Sequence, residues 1–180
     1  EGENCPGALE AIAPLLADPT IKKIGQNLKY DLKVLRTNNL DLVGIEGDTM
    51  IADYLLNVDQ KHNLDALAMR HLGHGMISYK EIVKKHGELF ARVPIEDATT
   101  YAAEDAHVAW MLLEKLPLKG DMKTLYDEVE IPLIPILAEM ELAGIGVDVD
   151  ALGKMSIELA GQIATMVAKI HETAGETFNI

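Results

Sequence analysis

A single cysteine, Cys5, stands among 180 residues. That excludes an internal disulfide and a zinc site built on several thiolates, and a reducing, cytoplasmic setting is the expectation. Aromatic residues make up only 4% of the chain, so aliphatic side chains and the 8 Met must pack its core. Basic residues are outnumbered, 16 Lys and Arg against 29 Asp and Glu, for a formal charge of -13. This balance excludes a broad basic surface that clamps nucleic acid by its phosphates alone. It leaves room for a small acidic site that meets phosphate through divalent cations, because the metals invert the local sign. No apolar run reaches membrane-spanning length, and the opening Glu-Gly-Glu-Asn-Cys-Pro has neither a basic nor an apolar leader region, so no membrane partner is expected. The chain starts without Met and closes on Phe-Asn-Ile, and is read as an excerpt of a longer protein.

What is present is a hydrophobic fraction of 48%, enough for a real core. Periodicity predicts a helix over 6–17, shortened or kinked at Pro14, then a short strand from Ile21 to Gly25. A helix from Asn27 to Thr37 follows, then a strand from Leu42 to Ile45, and Asp48-Thr49 caps a helix running to Leu56. Asn63 or Asp65 opens a further helix, stopped by Gly73-His74-Gly75. Ser78 to Lys85 is a short helix and Gly87 to Arg92 is loop-like. Pro94, with Glu96 and Asp97 behind it, starts a helix through Lys115. Residues 117–121 read as a linker. A helix from Met122 to Leu142 should kink at Pro132 and Pro135 and end at Gly144. Its stripe Leu125, Val129, Leu133, Ile136, Leu137 and Met140 is assigned to the core. Val147 to Val149 alternates as a strand, and Asp150 caps a last helix from Ala151 to Thr173. His71, His74 and His107 are assigned to exposed surfaces.

Two pairs carry the chemistry. Tyr101 and Asp105 lie four residues apart in Thr-Thr-Tyr-Ala-Ala-Glu-Asp, so on a helix they share one face. Asn27 and Asp31 have the same spacing in Gln-Asn-Leu-Lys-Tyr-Asp. Hydrolysis of a phosphodiester needs an activated water and positive charge on the oxygens that develop charge, which two divalent ions roughly 3.5–4 Å apart supply. Hard cations take carboxylate oxygens, so Asp31 and Asp105 are candidate ligands, and Tyr101 can orient the water. On spacing alone, an Asp four residues after an Asn or a Tyr is common on solvated helices. The two strings in this order, at this separation, carry more.

Lys-Ile-Gly-Gln-Asn-Leu-Lys-Tyr-Asp31 and Tyr101-Ala-Ala-Glu-Asp-Ala resemble the second and third exonuclease motifs of the proofreading domain of bacterial family A (polymerase I) DNA polymerases. Asp48-Thr49-Met50 and His62-Asn63-Leu64-Asp65-Ala66-Leu67 resemble that family's intervening segments. The stretch from Glu130 to Asp148 resembles the opening of its polymerase region, so the resemblance covers essentially the whole chain. It implies an α/β, ribonuclease-H-like exonuclease over 1–117, helix-dominated here, and the start of the polymerase domain over 118–180, leading into the thumb. The implied activity is two-metal removal of mispaired nucleotides from a DNA 3′ end, with Mg2+ or Mn2+ as cofactor. Asp31 and Asp105 would be the metal-associated carboxylates and Tyr101 would orient the water. Gln26, Asn27 and Tyr30 would contact the frayed single strand. Lys61 falls where relatives can carry an arginine, and Tyr79 where some carry a phenylalanine near the DNA. The remainder of the polymerase in cis, and a bacterial, cytoplasmic, nucleoid-associated setting, follow from the same resemblance.

One departure stands out. The family's first motif, Asp-x-Glu on an early strand, is absent, because no Asp-x-Glu triplet occurs in the chain. The expectation is that it lies upstream of this excerpt, and that the excerpt alone binds the metal pair poorly. Two rivals remain: an RNA-trimming exonuclease of ribonuclease D type, which shares the Tyr-x3-Asp motif, and a decayed, non-catalytic scaffold beside a polymerase. The segment from Glu130 to Asp148 favours the polymerase over the first. The survival of Asp31, Tyr101 and Asp105 speaks against the second.

Overall fold

In this computed structural model, which describes residues 7–180, the chain makes one helix and then a β-α-β unit. Cys5 and Pro6, the latter the predicted start of the first helix, lie outside the described residues. Helix α1 spans Ala8–Ala17 with Pro14 inside it. Strand β1 is Lys23–Gly25, α2 is Leu28–Thr37 and β2 is Ile45–Asp48. The two strands are parallel, with Ile24 opposite Gly47 and Gly25 opposite Asp48. Parallel neighbours require a crossover, and α2 provides it. The second strand begins where the predicted one ends. Leu42 is drawn into the core at 6% exposure, and Gly44 turns left-handed at φ 74°, which interrupts a regular strand.

Asp48 caps α3 (Thr49–Leu56), its carboxylate accepting the N–H of Met50 at 2.9 Å. After a loop, α4 (Leu64–Leu67) runs into a wide π turn over Ala68–Leu72 and stops at left-handed Gly73. Ser78 caps α5 (Tyr79–Lys84). A single 3-10 turn, Phe90–Arg92, stands in the stretch predicted as loop. Helix α6 is the long one, Ile95–Lys115. It has Pro94 at its cap, Glu96 and Asp97 in its first turn and Lys115 in its last, all favourable to the helix dipole.

The proline-bearing helix is made of α7 (Asp121–Leu125), a π turn (Tyr126–Glu130) and α8 (Ile131–Ala143). Pro132 has no N–H for the ladder, and the widened turn ahead of it takes up the mismatch. The face assigned to the core here is the wrong one. Leu125, Val129, Ile136, Leu137 and Met140 are exposed, whereas Tyr126, Ile134 and Ala138 are buried. Helix α8 is apolar nearly all round, so its periodicity does not select a face. Helix α2 selects it instead, packing Leu28 and Leu32 against Ile134 and Ala138. Burying Leu32 completely is worth about 2–3 kcal/mol. A second cluster joins Ala52, Leu67, Val108, Leu112 and Tyr126, and a third joins Ile82, Val83 and Val93.

The chain divides into two compact units between Ala143 and Gly144. The first contains α1 to α8, so the division drawn in the sequence at 117/118 falls inside it. The second contains α9 (Val149–Ala174), capped by Asp148, whose carboxylate accepts the N–H of Ala151 at 2.9 Å. The strand predicted over Val147 to Val149 does not form, because the helix begins at Val149, two residues before the predicted start. Along α9, Leu152, Met155, Leu159, Ile163, Met166 and Ile170 recur at steps of three and four and are all exposed. That is the spacing of a coiled-coil seam. Among the described residues, no helix is long and apolar enough to cross a membrane.

Candidate functional site

The site is built where β1 hands over to α2. Asn27, expected inside the helix, instead caps it in a left-handed conformation at φ 59°, which Asn tolerates better than most residues. The turn is held by Asp48, at 1% exposure. Its Oδ1 accepts the N–H of Asn27 at 3.0 Å and its Oδ2 that of Leu28 at 2.7 Å, so one carboxylate caps both α2 and α3. Burial raises the Asp48 carboxyl above its ordinary pKa, and the backbone N–H groups only partly oppose that push. The Tyr126 hydroxyl accepts the Asp48 N–H at 2.6 Å and donates to its carbonyl, locking the strand end onto the proline-bearing helix.

Asp31, in the first turn of α2, and Asp105, midway along α6, line one cleft of about 550 Å³ with Gln26, Asn27 and Asn63. Desolvation, then the charge of Asp48, raises the Asp31 carboxyl, although the side chain opens to solvent and so screens that effect. Asp105 is half-buried. Its carboxyl is raised first by burial and then by Glu104 and Asp65, against a lowering by Tyr101. The Tyr101 phenol is pushed up to about 12, by burial first and then by the Asp105 carboxylate. Its ring packs edge-on to Phe90 at 5.8 Å and lies 6.1 Å from Tyr79.

The remaining predicted residues are distributed unevenly. Gln26 faces the cleft, but both ends of its amide are engaged: Nε2 donates to the His62 carbonyl at 2.7 Å, and Oε1 accepts from Thr49 Oγ1. Tyr30 is exposed and lines a neighbouring groove with Asp31 and Val34. Lys61 is exposed, and its carbonyl accepts from Arg70. Tyr79 stacks on Phe90 at 5.8 Å and is half exposed. The structure therefore brings Gln26, Asn27, Asp31 and Asp105 onto one cleft, sets Tyr101 beside Asp105, and leaves Tyr30, Lys61 and Tyr79 off its lining. Lys29 and Lys33 are both taken by Glu141, which their hydrogen bonds hold down to about 2. Glu141 is thus an ion-pair partner of α2.

Sequence reasoning missed a second polar centre. Asp53 is fully buried on α3. It accepts from His62 Nδ1 at 2.7 Å, Arg70 Nη1 at 2.8 Å, His71 Nε2 at 3.1 Å and Asn57 Nδ2 at 2.9 Å. His71 is therefore a partner of a buried carboxylate, not an exposed helix end. The available signal was an Asp inside Met50-Ile51-Ala52-Asp53-Tyr54-Leu55-Leu56, a polar residue on a helix with little room for one. Asp65, close enough to raise Asp105, and Asn63, whose Nδ2 donates to Asp65 at 3.2 Å, were also passed over as site residues.

Asp31 and Asp105 make no ion pair among the described residues, and desolvation opposes their ionisation. Two unpaired carboxylates on one cleft are the donor chemistry of a hard divalent cation. The described residues contain no group of three or more acidic, histidine or cysteine donors, so these two fit part of a coordination shell.

Residues 2–121 match the profile of a 3′-5′ exonuclease family. DNA polymerase I of Pseudomonas aeruginosa is 36% identical, over 96% of this chain and 20% of that protein. DNA polymerase I of Rhizobium leguminosarum is 38% identical, over 96% of this chain and 18% of its own length. The Bacillus subtilis DNA polymerase I is 37% identical, over 84% and 18% respectively. Among solved structures, the POL domain of Pol1 from M. smegmatis, in complex with DNA primer-template and dNTP, aligns with a TM-score of 0.67 at 29% identity. That alignment covers 98% of this chain and 29% of that one. The chain spans about a fifth of the length of the curated relatives it matches.

Proposed function

The chain belongs to the 3′-5′ exonuclease family, and from that premise we propose that it forms part of a DNA polymerase I and trims mispaired nucleotides from DNA 3′ ends. The observation that carries the proposal is the convergence of Asp31 and Asp105 on one cleft with Asn27 and Gln26. The two-stranded parallel sheet, crossed by α2 and flanked by α6, suits a ribonuclease-H-like core, with 1–117 as exonuclease and 118–180 as the approach to the polymerase thumb. The uncovered apolar stripe of α9 supports a remainder of the polymerase in cis. A cytoplasmic, nucleoid-associated protein follows from that assignment.

Asp31 and Asp105 would hold magnesium or manganese. The bound ions would supply Lewis-acid polarisation of the phosphate and a hydroxide nucleophile. The other carboxylates of the shell would come from an Asp-x-Glu motif elsewhere in the longer polypeptide. Tyr101, with its phenol near 12, keeps its proton at neutral pH. It therefore orients the attacking water by hydrogen bonding and does not act as its base. Asn27 offers a side chain to the strand from the helix cap. Tyr30, Lys61 and Tyr79 present exposed side chains to DNA that runs past the cleft, while Gln26 supports the wall it stands in. The relatives' names speak for DNA over the RNA substrate of a ribonuclease D.

The test is degradation of a 3′-mismatched primer with magnesium or manganese, by the longer polypeptide that carries this chain, beside Asp105→Ala. The wild-type protein should release nucleoside monophosphates and the variant should lose most of that activity. Absence of trimming by a wild-type protein that still extends primers would refute the proposal.

A further inference from the structure

Asp53 is buried, accepts from four side chains, and takes no part in the chemistry above. A buried carboxylate facing a single cation is close to neutral for stability, because desolvation offsets the attraction. Four donors from three stretches of chain make it a hub. Three of those donors, Asn57, His62 and Arg70, bracket the loop between α3 and α4. Arg70 extends the clamp, since its second amino group donates to the Lys61 carbonyl at 2.8 Å. Gln26 in turn donates to the His62 carbonyl at 2.7 Å. Residues 61–62 are thus fastened by the Asp53–Arg70 pair and by Gln26, itself a cleft-lining residue. The next residue, Asn63, lines the cleft that holds Asp31 and Asp105.

The loop over 57–63 has no regular structure, so without these bonds it would sample many conformations and lose them on gripping a ligand. We infer that Asp53 and Arg70 are a positioning pair that presets the 57–63 loop, and through it Asn63 on the cleft wall, for a single DNA strand. The inference rests on the cleft being the strand-binding exonuclease site. Neither residue lines the cleft, whose carboxylates Asp31 and Asp105 stand on α2 and α6. Loosening the wall should therefore weaken capture of the strand and spare the chemical step.

Arg70→Lys keeps a cation beside Asp53 but cannot also reach the Lys61 carbonyl, and Asp53→Asn removes the charge at the hub. Both are measured in the longer polypeptide by amide hydrogen exchange over 57–63 and by steady-state trimming of single-stranded DNA. Exchange in that segment should accelerate about tenfold, and KM should rise about tenfold with kcat within about twofold of wild type. If Asp53→Asn does not fold, Arg70→Lys decides alone. A kcat that falls with KM unchanged, or faster exchange with KM unchanged, overturns the inference. If the wild-type protein trims and Arg70→Lys matches it in both measurements, this inference alone fails. If the wild-type protein does not trim, the exonuclease proposal fails and takes the inference with it.

Discussion

The Leu28 N–H donates to Asp48 Oδ2 at 2.7 Å, across a separation of 20 residues. That bond fixes the start of α2, and Asp31 with it, to the end of β2. Asp48→Ala would leave the N–H groups of Asn27, Leu28 and Met50 without this acceptor in or near the interior. The expected loss is about 3 kcal/mol, read from the urea midpoint. Asp48→Asn keeps one accepting oxygen and should lose less.

Gly44 supports the other end of β2, just ahead of Ile45, from its backbone. Its φ is +74°, and a Cβ there would lie 2.9 Å from the Ile21 carbonyl oxygen and 3.1 Å from that of Pro19. Both contacts are with backbone that cannot swing away. Gly44→Ala should therefore destabilise by about 2 kcal/mol or more, seen as a lower melting temperature, where an exposed glycine would give almost none.

Acid should unfold the protein partly through Asp53. Burial opposes its ionisation, but hydrogen bonds from His62, Arg70, His71 and Asn57 overcome this and lower its pKa from 3.8 to about 2. A carboxylate depressed in the folded state stabilises fully above its unfolded value, and that contribution fades as pH falls from about 4 to 2. It is worth about 2 kcal/mol. Asp48, Asp31 and Asp105 are shifted upward, so their contributions have the opposite sign and decline as pH rises through the carboxylate range. Urea titrations at pH 4 and pH 2 should show a steep loss for wild type and a flatter one for Asp53→Asn.

Much of this arrangement is legible in local sequence. Asp48 reads as a helix cap because capping is chemistry within three residues. The Tyr101–Asp105 spacing survives because α6 is regular through both. Legibility ends where partners are distant. The Asp53 hub gathers donors up to 18 residues away, and a lone Asp on a helix gives no sign of them. The buried face of α8 is set by α2, so an all-round apolar helix could not disclose it. The second strand starts later than its sequence suggests, because Leu42-Val43-Gly44-Ile45 looks like a strand until Gly44 takes a left-handed turn. Asn27 reads as helical because spacing does not distinguish a cap from a first turn.

Tyr101→Phe separates orientation from packing. The ring keeps its contacts with Phe90 and Tyr79, so thermal stability should stay within about 0.5–1 kcal/mol of wild type. Trimming should fall about a hundredfold or more, the usual range for removing a group that directs a proton or water. A variant that trims at the wild-type rate would remove Tyr101 from the mechanism.

The central claim is that Asp31 and Asp105 act as one unit on a DNA 3′ end. The most direct measurement is the mismatch-trimming rate, at saturating manganese, of the longer polypeptide as wild type, Asp31→Asn, Asp105→Asn and the double variant. Groups that share one metal-dependent step are strongly non-additive, so each single variant should lose most of the activity and the double variant little more. Wild-type trimming by either single variant, or losses that simply multiply in the double variant, would contradict a shared site in this cleft.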